Sequence, residues 1–225
     1  MATATRPARI PLTRERVLAG AIAVADRDGI HALTIRSLAA ELGVKPMSVY
    51  HHVPGKEAIL DGIVDTVFAQ MAVPQVGSDW RDELWRRCTS AREVLRRHPW
   101  AVPLLEARTN PGPATLRHHD ATLGVLYGAG FPGPLVQHGI AFLDAFVYGF
   151  AIQEASLQFD EGVDPALLAE QILAAVPADA YPHLARFTAE VVVQPGYDFG
   201  AEFEAGLALI LDGLAAMLAA TSSDR

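Results

Sequence analysis

The segment LTIRSLAAELGVKPMSVYHHVPGK, residues 33–56, limits the possible folds of this chain more than any other stretch. Its first half places apolar residues on one face of a short helix, with Thr34 before it and Gly43 after it. Glycine adopts the left-handed backbone of a sharp turn without a Cβ clash. Pro46 suits the first turn of a helix, where its missing N–H has no intrahelical partner. The spacing predicts helices over 35–42 and 46–52 joined by a tight turn.

Amphipathic helices are predicted on both sides of this pair, over 13–28 and 56–71. Two short helices joined by a glycine turn, with a third packed across them, form a helix-turn-helix. In that motif the second helix enters the DNA major groove, while the first crosses the phosphate backbone. The sequence therefore predicts a DNA-binding head at residues 13–56, preceded by a flexible basic arm at 1–12.

The candidate DNA-binding residues lie on and around the second short helix. Lysines suit phosphates, hydroxyl and imidazole groups suit phosphates or bases, and apolar side chains suit the thymine methyl group. The start of the first short helix favours a phosphate through its free N–H groups. The predicted set is Thr34, Arg36, Lys45, Pro46, Met47, Ser48, Tyr50, His51, His52 and Lys56.

Charge is distributed unevenly along the chain, whose formal net charge is −8. Residues 1–56 hold eight Lys/Arg against four Asp/Glu, a net +4, and the remainder holds ten against twenty-two, a net −12. A basic head on an acidic body is typical of a head that meets a polyanion. A solvated charge bias without any partner gives the same pattern, so charge alone leaves both interpretations open.

The remainder of the chain also has helical spacing, and the predicted fold class is all-α. A connecting helix at 57–71 leads through a hinge at 72–79 to a larger body at 72–225. The helices predicted in the body cover 80–97, 101–109, 113–129, 133–159, 165–175, 181–193 and 199–220.

The segment ALTIRSLAAELGVKPMSVYHHVPGKEAIL, residues 32–60, resembles the DNA-binding signature of the tetracycline-repressor (TetR) family. Many consecutive positions match at the family spacing. The matching residues are Thr34, Arg36, Leu38, Ala39, Leu42, Gly43, Val44, Met47, Ser48, Val49, Tyr50, His52, Val53, Lys56 and Ile59. Residues 45–47, Lys-Pro-Met, depart from the tetracycline repressor itself, so its operator sequence cannot be transferred.

The resemblance extends to the body, where DFGAEFEAGLALILDGLAAML, residues 198–218, is similar to the last helix of the tetracycline-repressor subgroup. It implies a homodimer formed through the last long helices and a small-molecule pocket between helices, whose occupation moves the heads apart and releases the operator. Such pockets are mainly apolar with a few polar groups. The predicted lining is Trp100, Leu104, Leu105, Arg108, His119, Phe142, Phe146 and Gln153.

Other functions receive less support from the residues. The family's chelating histidines and glutamate have no counterparts in Met71-Ala72 or in AVPLLEARTNPG, residues 101–112, so we expect neither a tetracycline–magnesium effector nor a resident metal or cofactor. His118 and His119 are neighbours on a helix and point apart, which favours solvated or pocket-lining roles. No acid at a suitable spacing supports Tyr50, His51 or His52 in catalysis, so no enzyme is predicted.

The sequence predicts a cytoplasmic protein, because it has one cysteine, no signal peptide and no uncharged run of about 18 apolar residues. Two functions remain open. The first is a ligand-responsive transcriptional regulator, a repressor of a palindromic operator released by a small apolar or amphipathic molecule. The second is a dimeric module that binds a small molecule or a protein and whose head no longer uses DNA.

Overall fold

The computed structural model describes residues 11–105, 107, 110–157, 167, 170–171, 174 and 178–223, and no strand occurs among them. The part up to residue 136 and the part from residue 137 form two compact units. The helices are α1 (Arg14–Asp28), α2 (Ile35–Glu41), α3 (Pro46–Tyr50), α4 (Lys56–Phe68), α5 (Trp80–Arg97), α6 (Val102–Leu105), α7 (Pro113–Gly128), α8 (Gly133–Ser156), α9 (Pro182–Phe187) and α10 (Glu202–Ser223).

The head has a core of its own, made by α1, α2, α3 and the start of α4. Thr13 caps α1 by accepting a hydrogen bond from Arg16 N, and Gly29 ends the helix. The apolar side chains that the 3.6-residue period places on one face are buried, as expected for amphipathic helices. They include Val17, Leu18, Ala21, Val24, Leu38, Ala39, Val49, Val53, Ile59 and Ile63.

The connection between α4 and α5, predicted as a hinge at 72–79, is tied to α5. Ser90 Oγ accepts a hydrogen bond from Ala72 N at 2.9 Å, and Glu83 Oε2 accepts one from Gln75 N at 2.9 Å. Arg86 donates to Val73 O at 2.7 Å and pairs with Glu83. The hydrogen bond from Gln75 N, followed by that from Arg86, lowers the pKa of Glu83. This segment is therefore a fixed connection.

In the second unit, phenylalanines of α8 and α10 form the centre of the packing. The Phe146 and Phe203 rings are stacked with centroids 5.2 Å apart, and Phe150 meets Phe203 edge-on at 5.1 Å. Leu207, Leu211 and Leu214 continue the buried side of α10. The segments 133–156 and 199–221 are long and apolar enough to cross a membrane by length and composition, a weak criterion that core helices also meet.

The sequence prediction differs from the structure mainly at helix ends. The second to fourth helices end at Glu41, Tyr50 and Phe68, one to three residues before the predicted ends. The helix predicted over 101–109 is a 3-10 turn followed by the four-residue α6, and the one predicted over 181–193 becomes a π-turn after Phe187. The helix predicted over 165–175 lies largely outside the described residues. The domain boundaries assigned from the sequence stay predictions.

Candidate nucleic-acid interface and effector-binding body

The turn between α2 and α3 has the geometry that a helix-turn-helix requires. Gly43 adopts a φ of 64°, and its N–H donates to Ala40 O at 3.1 Å. Val44 N donates to Ala39 O at 2.9 Å, which completes a Schellman motif. Because a residue with a Cβ is strained at this φ, the glycine fixes the angle at which the chain enters α3.

The start of α2 is closed by a capping box. Thr34 Oγ1 accepts from Ser37 N at 3.0 Å, and Ser37 Oγ accepts from Thr34 N at 2.9 Å. The hydroxyl predicted to face a phosphate thus already has a structural role. Arg36, one residue into the helix, is exposed and leaves a cation at this end of α2.

The side chains of α3 divide into an inner and an outer set. Val49 is buried and anchors the helix, together with Val53 after it. Met47 is 68% exposed and Tyr50 is 46% exposed, so both side chains are available for contact on the outer side of α3. The predicted DNA-binding residues Lys45, Pro46, His51 and Lys56 are also exposed, and Ser48 and His52 are half-buried.

A cavity of about 570 Å³ opens beside α3 on the head. It brings together the chain just before α1, the first turn of α1, the glycine turn and the polar side of α3. Its lining combines apolar residues with basic and polar ones, and it consists of Pro11, Leu12, Arg16, Leu42, Gly43, Val44, Lys45, Ser48, His51 and His52. Such a concave surface complements an anion, and four of the predicted DNA-binding residues share it.

The predicted pocket residues occupy different environments. Trp100 is buried, and its indole N–H donates to Asp26 at 2.5 Å. Leu104 and Leu105 are half-buried, and Phe146 packs on α10 within the second unit. Arg108 lies outside the described residues. Exposed positions are held by His119, Phe142 and Gln153. The shared pocket stays a prediction.

His118 is a polar residue of the body that sequence reasoning left out of the predicted pocket. Its side chain is fully buried, and neither ring nitrogen has a hydrogen-bond partner. It meets the Phe68 ring of α4 edge-on with centroids 5.5 Å apart. Burial, followed by the positive charge of Arg87 and by His119, lowers the pKa of His118 from 6.5 to about 3. The side chain is therefore a neutral imidazole inside the packing of α4 and α7.

Asp65 joins α4 to the start of α7. Its Oδ1 accepts from Thr115 N at 2.8 Å and from Thr115 Oγ1 at 2.9 Å, so it caps a helix that is distant in sequence. Gly112 makes room for the carboxylate, since a Cβ there would lie 2.2 Å from Asp65 Cγ. No signal in the sequence links these three residues. Among the described residues, no group of three His, Cys, Asp or Glu is placed to hold a metal ion.

Taken together, the glycine turn, the buried anchor of α3 and its exposed outer side define a helix-turn-helix protein. A family model described as "Bacterial regulatory proteins, tetR family" matches residues 17–63. A second model, "Tetracyclin repressor-like, C-terminal domain", matches residues 73–218, more than half of the chain. The chain therefore belongs to the TetR family of bacterial DNA-binding transcriptional regulators, within the group whose C-terminal domains resemble that of the tetracycline repressor.

Named relatives agree with this assignment. An HTH-type transcriptional regulator of Saccharopolyspora erythraea is 34% identical over 208 residues, which cover 91% of this chain and 85% of the relative. The HTH-type transcriptional repressor DrrR1 of Streptomyces coeruleorubidus is 34% identical over 232 residues, covering 96% and 83%. The structure of Streptomyces coelicolor ActR in complex with actinorhodin superposes with a TM-score of 0.76 at 27% identity, covering 93% of this chain and 99% of ActR.

Proposed function

We propose that the chain is a homodimeric cytoplasmic repressor, without catalytic activity, in which α3 of each protomer reads one half of a palindromic operator. The observation that carries this proposal is the exposure of Met47 and Tyr50 on a helix anchored by Val49. A two-fold dimer presents two identical reading helices, and two-fold DNA is the site that matches them.

Phosphate contacts position the head on the duplex. Arg36, Lys45 and Lys56 supply exposed cations beside α2 and α3, and the Tyr50 hydroxyl supplies a donor on the same side. The cavity beside α3 offers a concave seat for a backbone phosphate, with Lys45 and His52 in its lining. Such contacts hold the protein in register and carry no sequence information themselves. Thr34 contributes to the phosphate contacts indirectly, because it caps and so fixes the start of α2.

Base contacts come from the outer side of α3. Met47 and Pro46 offer apolar contact to thymine methyl groups, and Ser48 and His51 offer hydrogen bonds to base edges. Met47 is an unbranched apolar side chain of α3 and is more exposed than Tyr50. We therefore assign the sequence preference of the head chiefly to Met47, Ser48 and His51.

Dimer formation involves the apolar surface that the second unit leaves exposed. Only 22% of the most apolar window in 199–221 is buried, although its mean hydropathy is 1.7. Leu209 is 73% exposed, and Met217 of α10 and Ile152 of α8 are exposed as well. Exposed apolar side chains in such number on α8 and α10 suit an interaction site. We place the partner protomer on this face of α8 and α10.

The effector is a small apolar or amphipathic molecule bound in the C-terminal domain. The predicted lining is mainly aromatic and aliphatic, with Arg108, His119 and Gln153 as polar groups. The solved relative ActR is in complex with actinorhodin, which supports a small-molecule effector for this chain too. A ligand that binds the wide-spaced arrangement of heads more tightly shifts the population away from DNA.

Selection of bound duplexes from random DNA tests the reading head. At moderate salt, the wild-type dimer should enrich a palindrome. The Tyr50→Ala variant should lose about tenfold in affinity for all duplexes, since it removes a phosphate contact. Met47→Ala should keep overall affinity and change the preferred bases. Lys45→Ala should reduce the slope of log affinity against log salt by about one.

The matched control is Tyr127→Ala, which removes from α7 of the body a tyrosine that is 56% exposed, against 46% for Tyr50. It should bind like the wild type. An unchanged affinity of Tyr50→Ala would contradict the docking of α3 described above. Absence of any enriched sequence, together with salt-independent ligand binding, would favour the alternative of a dimeric binding module whose head no longer uses DNA.

A further inference from the structure

A polar cluster joins the head to the segment that follows α5. Asp26 lies in the last turn of α1, and its Oδ1 is 2.7 Å from His98 Nδ1 and accepts from Trp100 Nε1 at 2.5 Å. Gln70 Oε1, just after α4, lies 3.3 Å from His98 Nε2. One carboxylate oxygen thus lies within hydrogen-bond distance of two rings that are more than seventy residues away in sequence.

The donors of this cluster are shielded from water. The His98 side chain is 10% exposed and Trp100 is 7% exposed, whereas the Asp26 side chain is 34% exposed. The two rings also contact each other, with centroids 5.9 Å apart. Removing Asp26 leaves two buried donors without their acceptor, so the arrangement favours one position of α1 relative to residues 98–100.

The cluster lies between the head and the segment that carries predicted pocket residues. On one side it holds α1, which packs against α2 and α4 within the head. On the other side, Trp100 leads directly into α6, which carries the predicted pocket residues Leu104 and Leu105. A shift of residues 98–105 therefore reaches the head through the hydrogen bonds to Asp26.

We propose that Asp26, His98 and Trp100 are positioning residues that hold the head in the orientation required for operator binding. The proposal rests on the proposed function as a DNA-binding dimer. It adds that operator affinity depends on side chains that do not touch DNA, one of which, Trp100, also belongs to the predicted pocket lining. Two heads that are free to turn lose more entropy on binding a palindrome than two heads held in place.

The cluster is separate from the core that folds the head. Val17, Ala21 and Val24 of α1 are fully buried among the head's own apolar side chains. The partly exposed Asp26 side chain turns instead to residues 98–100. Loss of its carboxylate is therefore expected to loosen the orientation of the head while leaving the helix-turn-helix folded.

The experiment compares Asp26→Ala, Asp26→Asn and Asp28→Ala in the full-length dimer. Asp28 is the matched control, because it is an acid on the same helix that pairs with Arg27 within the head. Its removal changes the head's charge equally. With the DNA sequence enriched by the wild type, Asp26→Ala should bind about tenfold more weakly, Asp26→Asn should recover most of the affinity, and Asp28→Ala should match the wild type.

A second readout measures head orientation without DNA. Spin labels at Ala19→Cys, an exposed position of α1, report the distance between the two heads, and the natural Cys88 is buried away from the label. Asp26→Ala should broaden this distance distribution, and Asp28→Ala should not. Circular dichroism should show the same helix content in both variants.

Trp100→Phe keeps the ring and removes the N–H, so it tests the cluster from the other side. It should also weaken operator binding, and the double variant with Asp26→Ala should be no weaker than Asp26→Ala alone. Trp100→Phe also replaces Asp26→Ala as the test if the latter fails to fold.

Unchanged affinity and an unchanged distance distribution in Asp26→Ala would overturn the proposal, as would additive effects in the double variant. If the wild type enriches no DNA sequence, that result contradicts the proposed function and not the role of the cluster. The distance distribution then decides alone whether the cluster positions the head.

Discussion

Two neighbouring histidines of α7 lie in opposite environments, because successive residues of a helix are about 100° apart. His118 is fully buried without a hydrogen bond, and His119 is exposed. Both rings lie 5.5 Å from the Phe68 ring of α4, and the sequence does not show which member is buried, since this depends on how α7 is rotated in the packing. The sequence interpretation left a solvated or a pocket-lining role open for these histidines; burial excludes the solvated role for His118, and the pocket role of His119 stays a prediction.

Burial of His118 predicts a pH dependence of stability. Its pKa is lowered to about 3 in the folded chain, so at pH 5 the unfolded chain binds a proton that the folded chain does not. The stabilisation is complete above the unfolded pKa of 6.5 and decreases as the pH falls towards 3. Between pH 7 and pH 5 the free energy of unfolding should fall by about 2 kcal/mol from this group.

Urea denaturation at the two pH values measures this change. A His118→Leu variant should lose that part of the pH dependence, and His119→Leu serves as the control for removing a histidine from α7. A pH dependence identical in the wild type and His118→Leu would show that His118 is solvated in the folded protein.

At the scale of helices, the sequence predicts the helix starts and stops that depend on neighbouring residues. Thr13, Thr34 and Gly43 cap or stop helices where expected, because capping depends on residues a few positions apart. The π-turn after Phe187 and the short α6 were not predicted, since they depend on packing as well as on local propensity. The capping of α7 by Asp65 of α4 was also missed, because its partners are fifty residues apart.

This long-range cap predicts a paired effect of two substitutions. Asp65→Ala should destabilise the chain by about 1–2 kcal/mol, because it leaves the first turn of α7 uncapped. Gly112→Ala should destabilise the wild type as well, because the new Cβ displaces the Asp65 carboxylate. The φ of Gly112 is −80°, which alanine adopts without strain.

In the Asp65→Ala background the same Gly112→Ala substitution should therefore change the stability of the folded chain only slightly. Thermal unfolding of the four proteins forms a double-mutant cycle. Equal effects of Gly112→Ala in both backgrounds would show that the glycine serves another purpose than making room for the carboxylate.

For the whole molecule, the apolar outer side of α10 predicts that stability depends on protein concentration. Dimers that bury such a surface gain stability by mass action, so the melting temperature should rise with concentration. Leu209→Glu places a charge on the most exposed of these side chains and should shift the protein towards monomer. Sedimentation velocity measures the shift.

Leu116→Glu is the matched control, since Leu116 of α7 is 56% exposed in the other unit. It should remain dimeric. A dimeric Leu209→Glu protein would place the partner on a different surface, whereas a monomeric one should also lose the affinity that two joined reading heads provide.

The hydrogen bonds of Asp26 also limit how freely regulators of this kind can exchange parts by recombination. A crossover at the start of α4 gives a hybrid a foreign first helix, while His98 and Trp100 stay with the recipient. Such a hybrid has a complete reading head and a complete body. The rings of His98 and Trp100, however, then face the residue that the donor carries at the position of Asp26. If the proposed role of Asp26 is right, a working hybrid of this chain needs one matched acceptor as well as two intact domains, and engineered hybrids that keep Asp26 should retain control of their new target sites.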